Sequence, residues 1–321
     1  MLARPAIALF AFLLELAIAY PGWIYRRIGH PVSWIGAGLS VLELVLNRDG
    51  VSFAFRRLAG VTALVLLLLC VGGVALALHL ALLQFPGGWV VEFVGVAALV
   101  APRNLRDHVR AVAEALESHG LSAGRRAVSQ IVGRDTEALD ESGVCRAAIE
   151  SLAENFSDGV IAPLFWYLAG GLIGIALYKA INTADSMIGH RNARYEAFGW
   201  AAARLDDLVN LPAARLSALL IAGGACLERA ASGRRALATA WRDASHHRSP
   251  NAGWPEAAMA GALGVALAGP RIYEGHSVEE AWLGDGSRHA SVGDLCLALG
   301  IYDRALLLIV IVLALGALSR L

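Results

Sequence analysis

From Leu58 to Val91 the chain runs for 34 residues without an Asp, Glu, Lys or Arg. A helix rises about 1.5 Å per residue, so this stretch exceeds one crossing of a ~30 Å hydrocarbon core. It has to break, and Pro86-Gly87-Gly88 is where the residue types permit it. The expectation is a full helix over about residues 60 to 83, a turn, and a shorter apolar segment reaching Ala101. A second uncharged run, Gly159–Tyr178, is long enough to span but is interrupted at Gly170-Gly171, and reads as a crossing helix or a re-entrant hairpin. Residues 208–227, charged only at Arg215, form a weaker segment, and Ala305–Ser319, between Arg304 and Arg320, reads as a C-terminal anchor. Met1–Tyr20 carries Arg4 and Glu15 and lacks a small-residue cleavage site before Pro21, which favours an uncleaved first membrane segment over a signal peptide.

The fold class that follows is an all-α integral membrane protein, several transmembrane or re-entrant helices with helical polar blocks between them. Residues 1–321 read as a single membrane-embedded domain, its polar blocks at about 103–158 and 228–304. In the first block Leu105, Val109, Val112, Ala113 and Leu116 recur at helical spacing, an amphipathic helix leaving the membrane. Arg103, Arg106 and Arg110, with Arg48, Arg56 and Arg57, place that side in the cytoplasm under the positive-inside rule. No convincing alternating strand pattern occurs.

Composition excludes other classes. With 27 Lys+Arg against 27 Asp+Glu and 57% hydrophobic residues, there is no basic stripe for nucleic acid and no disorder signature. Cys70, Cys145, Cys226 and Cys296 are scattered, which rules out a disulfide scaffold and reads as buried small hydrophobes. Of the basic residues only Lys179 is lysine, a bias assigned at this level to genome composition.

Acid and amide residues gather in four clusters. Glu150, Glu154 and Asp158, with Asn155 among them, stand four apart and on a straight helix share one face at the mouth of an uncharged segment. Three like charges call for a divalent cation or a cationic substrate group; the bland alternative is a solvated acidic face near Arg146. At the far end of that segment lie Asn182, Asp185, His190, Arg191 and Asn192: an acid, amides, a candidate base and an anion-binding Arg. The third cluster joins Arg204 to adjacent Asp206 and Asp207, with Asn210 on the face of Asp206, and suits Mg²⁺ holding phosphate oxygens. Helix N-capping accounts for any one of these acids but not for all. The fourth, His246-His247 through Ser249, Asn251, Trp254 and Glu256, is a rigid turn into an Ala/Gly-rich helix whose N-terminus faces an anion or, blandly, a surface loop with a buried Trp. Its histidines lack a third ligand at zinc spacing, and no Walker or dinucleotide glycine motif occurs.

The sequence resembles the CobD/CbiB family, adenosylcobinamide-phosphate synthase, over nearly its whole length. The resemblance rests on His30-Pro31-Val32 with Gly36 and Glu43, on Val132-Gly133-Arg134-Asp135-Thr136, and on Glu150 through Gly159 running into Ala162-Pro163-Leu164-Phe165. It continues in Asn182-Thr183-Ala184-Asp185-Ser186-Met187, Gly189-His190-Arg191, Phe198-Gly199-Trp200, Arg204 to Asp207, Ser249 to Glu256, Gly269, and Tyr273 through Gly275. The family pattern has a basic residue just after Gly36, where this chain has Ala37.

The resemblance implies an ATP- and Mg²⁺-dependent amide ligase in a cell membrane, joining aminopropanol phosphate to a propionate of the corrinoid adenosylcobyric acid, with a cytoplasmic active site. The expected route runs through an acyl phosphate displaced by the amine. Matching the clusters to the parts this route needs assigns Asp206 and Asp207, with Asp185, to Mg²⁺, and Arg191 and Arg204 to phosphate. Glu150 or Glu154 would serve the ammonium group or act as base, with Asp158 and His190 as further catalytic candidates. Asn155, Asn182, Asn210, Ser249, Asn251, Trp254 and Glu256 would bind substrate. Expected partners are the corrinoid, aminopropanol phosphate, ATP and membrane lipid, with no nucleic acid, and other enzymes of cobalamin synthesis as further candidates. Without the resemblance, the residues leave a Mg²⁺-dependent membrane transferase and a transporter as alternatives. The transporter is disfavoured because no inverted repeat occurs and the ionisable residues, Glu15, His79 and Glu92 excepted, lie at segment ends.

Overall fold

The structure is a computed structural model and describes residues 3–273, 276–278 and 280–319. Its first helices are α1 (Arg4–Ile18), α2 (Gly22–Ile28), α3 (Pro31–Leu46), α4 (Phe53–Leu83), α5 (Gly88–Ala97) and α6 (Pro102–Val128). Next come α7 (Glu141–Asn155), a π-helix over Phe156–Ile161, α8 (Ala162–Ile188) and α9 (Trp200–Cys226). The chain closes with α10 (Gly233–Asp243), a 3₁₀ turn, α11 (Gly253–Leu263) and α12 (Val292–Leu318). The near-complete helicity matches the sequence reading, with one correction. Short antiparallel strand pairs, β1 (Leu267–Ala268) with β4 (Trp282–Leu283) and β2 (Arg271–Tyr273) with β3 (His276–Val278), precede α12.

Among the described residues, six helical stretches are long and apolar enough to cross a membrane: 22–46, 53–83, 88–128, 141–188, 200–226 and 292–318. The helix expected over 60–83 starts earlier, at Phe53, because Ser52 caps it by accepting from the Phe55 N–H. Arg57 is accommodated with its guanidinium 3.4 Å from the centre of the Trp200 ring. Leu58, Leu69, Val74 and Leu80 of α4 are exposed, the apolar coat a lipid-facing helix requires.

Packing divides the chain into two compact units. The first comprises 1–101, 162–210 and 313–321; the second comprises 102–161 and 211–312.

In the first unit, Leu39, Ala63, Leu67, Ala180, Ala184, Ile188 and Phe198 form a core joining α3, α4 and α8 to the start of α9. Helix α8 is not straight. Gly171 adopts φ 63°, ψ −150°, a conformation that redirects the chain and that few residues besides glycine tolerate. Beyond it the chain doubles back, since a Cβ on Gly174 would collide with the carbonyl oxygen of Trp166. Residues eight apart in a continuous helix are separated by about 12 Å. Before the break the uncharged chain, 159–170, extends about 18 Å and after it residues 172–188 extend about 25 Å, each short of a ~30 Å core. Of the two readings of this segment, the geometry is that of the hairpin. Carbonyls released at the break are collected by Arg4, whose Nη1 donates to Ala169 O at 2.9 Å and to Leu168 O at 3.3 Å. Glu92, one of the intramembrane acids, accepts from the Tyr167 hydroxyl at 2.8 Å.

In the second unit, α6 buries Val109, Val112, Ala113 and Leu116, the stripe expected from spacing. It too is bent, at Gly120, whose φ is 75°. Helices α10 and α11 pack side by side, and Asp243, at the end of α10, accepts from Arg242 at 2.6 Å and from the Gly284 N–H at 2.8 Å. These donors, Arg242 foremost, hold the Asp243 carboxyl below the usual carboxylate range. A depressed folded value means the stabilisation is present above the unfolded pKa, about 4, and disappears as pH falls through the folded value. In a pH series of melting temperatures, Asp243→Asn is therefore expected to be destabilised at neutral pH and to approach the parent progressively as pH falls below about 4. A constant offset between the two would remove this linkage.

Candidate active site

The cytoplasmically expected acids of the first unit sit where the second limb of α8 meets α9. Tyr178, Asn182 and Asp185 come from α8, Asp206, Asp207 and Asn210 from α9. The Tyr178 hydroxyl donates to Asn210 Oδ1 at 2.9 Å, which turns the amide so that Nδ2 donates to Asp206 Oδ2 at 2.9 Å. Asn182 Nδ2 approaches the other oxygen, Oδ1, at 3.4 Å. Asp206 is 8% exposed and Asn210 1%, so the carboxylate is fixed by amide donors away from solvent. This bears out the expectation that Asp206 and Asn210 face together.

Asp207, its neighbour, points elsewhere: it is half-buried and pairs with Arg204 Nη1 at 3.3 Å. Asp185 lies close enough to Asp206, Asp207 and His190 to interact with each electrostatically, and Arg191 stands in the same relation to Asp207. His190 and Arg191 are exposed, just past the end of α8. Asn192 is an architectural residue, its Oδ1 accepting from the Arg194 and Tyr195 N–H groups and closing the turn toward α9. The structure thus gathers Asn182, Asp185, His190, Arg191, Arg204, Asp206, Asp207 and Asn210 within one unit.

A cavity of about 340 Å³ opens beside them, between α3 and α8. Asn182 belongs to its wall, as do Ser33, Gly36, Lys179, Thr183 and Ser186. Lys179 and Ser33 are the residues the sequence reading missed. The signal for Lys179 was present, a cation inside an otherwise uncharged segment, but was assigned to composition. His30-Pro31 proves to be the start of α3: His30 Nδ1 accepts from the Val32 N–H at 3.2 Å and Pro31 takes the first helical position.

Of the described residues, no group of three or more His, Cys, Asp or Glu is placed to hold a metal ion. Mg²⁺ needs none, since it keeps waters and is commonly held by one or two carboxylates together with substrate phosphates. A buried, amide-oriented Asp206 with Asp185 near it fits a donor set of one or two carboxylates.

In the second unit the expectation of three carboxylates on one face is corrected. Helix α7 ends at Asn155 and the following six residues are π-helical, which shifts Asp158 out of the four-residue register. Glu150 is buried, Glu154 and Asn155 are exposed, and Asp158 is half-buried. Glu150 is a clasp: Oε2 accepts from Arg134 at 2.8 Å and Oε1 from the Ala268 N–H at 2.7 Å. Its partner is Arg134 of the 132–136 motif, whereas Arg146 turns to the Arg288 carbonyl and the Trp282 ring. Side-chain exposures of 8% and 5% make this a buried ion pair, and removing one member leaves an uncompensated charge. Glu150→Ala is expected to cost about 3–5 kcal/mol, against little for exposed Glu154→Ala. Thermal unfolding in detergent compares the two, and equal melting points would discard the clasp.

The stretch from Ser249 to Glu256 forms the expected rigid turn. Ser249 Oγ accepts from the N–H groups of Asn251 and Ala252, and His247 Nδ1 accepts from the Ser249 N–H. Trp254 receives the Arg215 guanidinium over its ring at 4.9 Å and meets the Trp241 ring edge-on at 5.9 Å. Glu256, 2% exposed, occupies the first turn of α11, so negative charge is already supplied to that helix end from within the chain. Of the remaining motif, Glu274 and Gly275 lie outside the described residues.

Comparison with known proteins gives the arrangement a family. Residues 8–302 match the family model described as CobD/Cbib protein. "Cobalamin biosynthesis protein CobD" of Rhizobium meliloti (strain 1021) is 51% identical over 304 residues, 93% of this chain and 92% of the relative. A protein of the same name from Rhodobacter capsulatus is 51% identical over 317 residues, 97% of each chain. That of Brucella suis biovar 1 (strain 1330) is 49% identical over 301 residues, 91% of this chain and 90% of its own. No solved structure matches the chain. A match spanning residues 8–302, with about half of all positions identical across nine-tenths or more of several relatives, makes this chain a member of the CobD/CbiB family.

Proposed function

We propose that the chain is an enzyme of cobalamin biosynthesis, a reading supported by its family and by its relatives' names. Its reaction in this proposal is ATP-dependent formation of the amide between aminopropanol phosphate and a propionate of adenosylcobyric acid. The observation that carries the chemistry is Asp206, held by two amide donors beside a cavity whose wall includes Asn182. A carboxylate oriented before any ligand arrives costs no reorganisation when charge has to be neutralised.

The propionate oxygen attacks the terminal phosphorus of ATP and ADP departs, leaving an acyl phosphate. The amine nitrogen then attacks the acyl carbon, inorganic phosphate leaves with the bonding pair, and the proton of the attacking nitrogen passes to a base. Mg²⁺, when bound, would neutralise phosphate charge, held by Asp206 with Asp185 and Asp207. Arg191 and Arg204 would draw phosphate oxygens, while exposed Glu154 and His190 are the candidate bases. Glu150, whose charge is already met by Arg134 in a buried ion pair, is assigned to the fold in this scheme. Since ATP is cytosolic, the acid cluster would face the cytoplasm from a multi-pass protein of the cell membrane.

Turnover by detergent-purified protein tests the proposal. Supplied with adenosylcobyric acid, aminopropanol phosphate, ATP and Mg²⁺, it should yield the amide by mass, and none on omission of ATP or Mg²⁺. Folded protein that makes no product would return the transferase and transporter readings.

A further inference from the structure

From Gly159 to Ala184 the chain carries one charge, Lys179, and Lys179 is its single lysine. A cation within an apolar segment is expensive and is retained where something polar or anionic meets it. Lys179, Asn182, Thr183 and Ser186 follow at intervals of three, one and three, which sets them on one face of α8, and all four line the 340 Å³ cavity. Ser33 faces them from α3. Val32 and Met187 complete a largely apolar wall, in which Lys179 supplies the cation and Ser33, Asn182, Thr183 and Ser186 the hydrogen-bonding groups. Gly36 keeps the α3 side open, since a Cβ there would stand 3.1 Å from the sulfur of Met187. Asn182 both lines the cavity and reaches Asp206 Oδ1 at 3.4 Å, so the recess and a fixed carboxylate share one amide.

We propose that this cavity is a phosphate-binding subsite, with Lys179 as counter-charge and Ser33 and Asn182 as hydrogen-bonding partners. The inference rests on the ligase reading, in which two substrates carry phosphate: a nucleotide polyphosphate and the phosphate monoester of the amine. A compact ammonium on a flexible stem suits a narrow recess better than the wide fork of arginine.

Equilibrium binding to the detergent-purified full chain, read by calorimetry, tests it with aminopropanol phosphate, ATP without Mg²⁺, and free aminopropanol as probes. Lys179→Met should weaken one of the two phosphate-bearing probes on the order of 10- to 100-fold, as loss of a charge-assisted hydrogen bond does. Free aminopropanol should be unaffected, and Lys179→Arg should recover only part of the loss. Loss confined to ATP assigns the recess to the nucleotide, and loss confined to aminopropanol phosphate assigns it to the amine substrate; either supports the subsite. Unchanged binding of both overturns it, while amide formation by the parent protein would leave the ligase reading standing. If the parent makes no amide, that reading falls and the binding measurements still decide whether the recess takes phosphate. Ser33→Asp, which places a negative charge on the same wall from a different helix, should weaken the same probe and covers the case in which Lys179→Met does not fold.

Discussion

Asp206→Asn should leave a folded protein whose ATP-dependent amide formation falls by about 10²- to 10³-fold or more, the scale seen when a preorganised electrostatic group is removed. The substitution keeps shape and removes charge. It also sets an amide N–H against a donor, because Asn182 and Asn210 both present Nδ2 to this carboxylate. Asn210 cannot simply turn round, since its oxygen accepts from Tyr178. A modest loss of stability, about 1–3 kcal/mol, should accompany the loss of turnover. Asp207→Asn, at a half-buried position paired with Arg204, should abolish turnover with less effect on melting. Product measured by mass beside melting curves separates the two, and parent-level activity in either variant would strike that acid from the metal-holding set.

Gly199→Ala is expected to be the most damaging small substitution in the first unit. A Cβ there would overlap the carbonyl oxygen of Ile188 and lie 2.5 Å from its carbonyl carbon. That neighbour is backbone, the last residue of α8, and cannot step aside as a side chain does. Overpacking commonly costs about 1–3 kcal/mol, and a backbone collision belongs at or above the upper end. Since Gly199 immediately precedes α9, the helices carrying Asn182 and Asp206 would be forced apart, so turnover should fall together with melting temperature. Gly73→Ala makes the control, for a Cβ in that part of α4 meets nothing within 4 Å. If Gly199→Ala melted with Gly73→Ala, the close approach of the two helices would not be what holds the acids together.

Periodicity and charge-free length made the helical membrane class legible, because bilayer thickness acts on every residue of a segment alike. Single residues with strong local preferences were legible too: Pro86-Gly87-Gly88 ends α4 where expected, and the Asp206–Asn210 pairing followed from spacing within one helix. What failed did so where a partner came from far along the chain. Nothing near Glu150 in sequence announces the Ala268 N–H, and the π-helical turn that displaces Asp158 has no residue code as sharp as proline or glycine. Lys179 illustrates a different loss, for its place is in the wall of a cavity that forms only when α3 is laid against α8.

The contact from Arg4 to the broken α8 sets an order of events for biogenesis. The donor emerges from the ribosome first and its acceptors, Leu168 and Ala169, about 160 residues later. At roughly 5–20 residues per second, that interval is on the order of 10 s. Until it has passed, the first helix holds a guanidinium with no hairpin to receive it, and once the hairpin is threaded, its open carbonyls wait on a helix inserted long before. Maturation of this region is therefore a late docking of early and late segments inside the bilayer, and agents that delay their encounter should accumulate fully synthesised chains that remain protease-sensitive near Gly171.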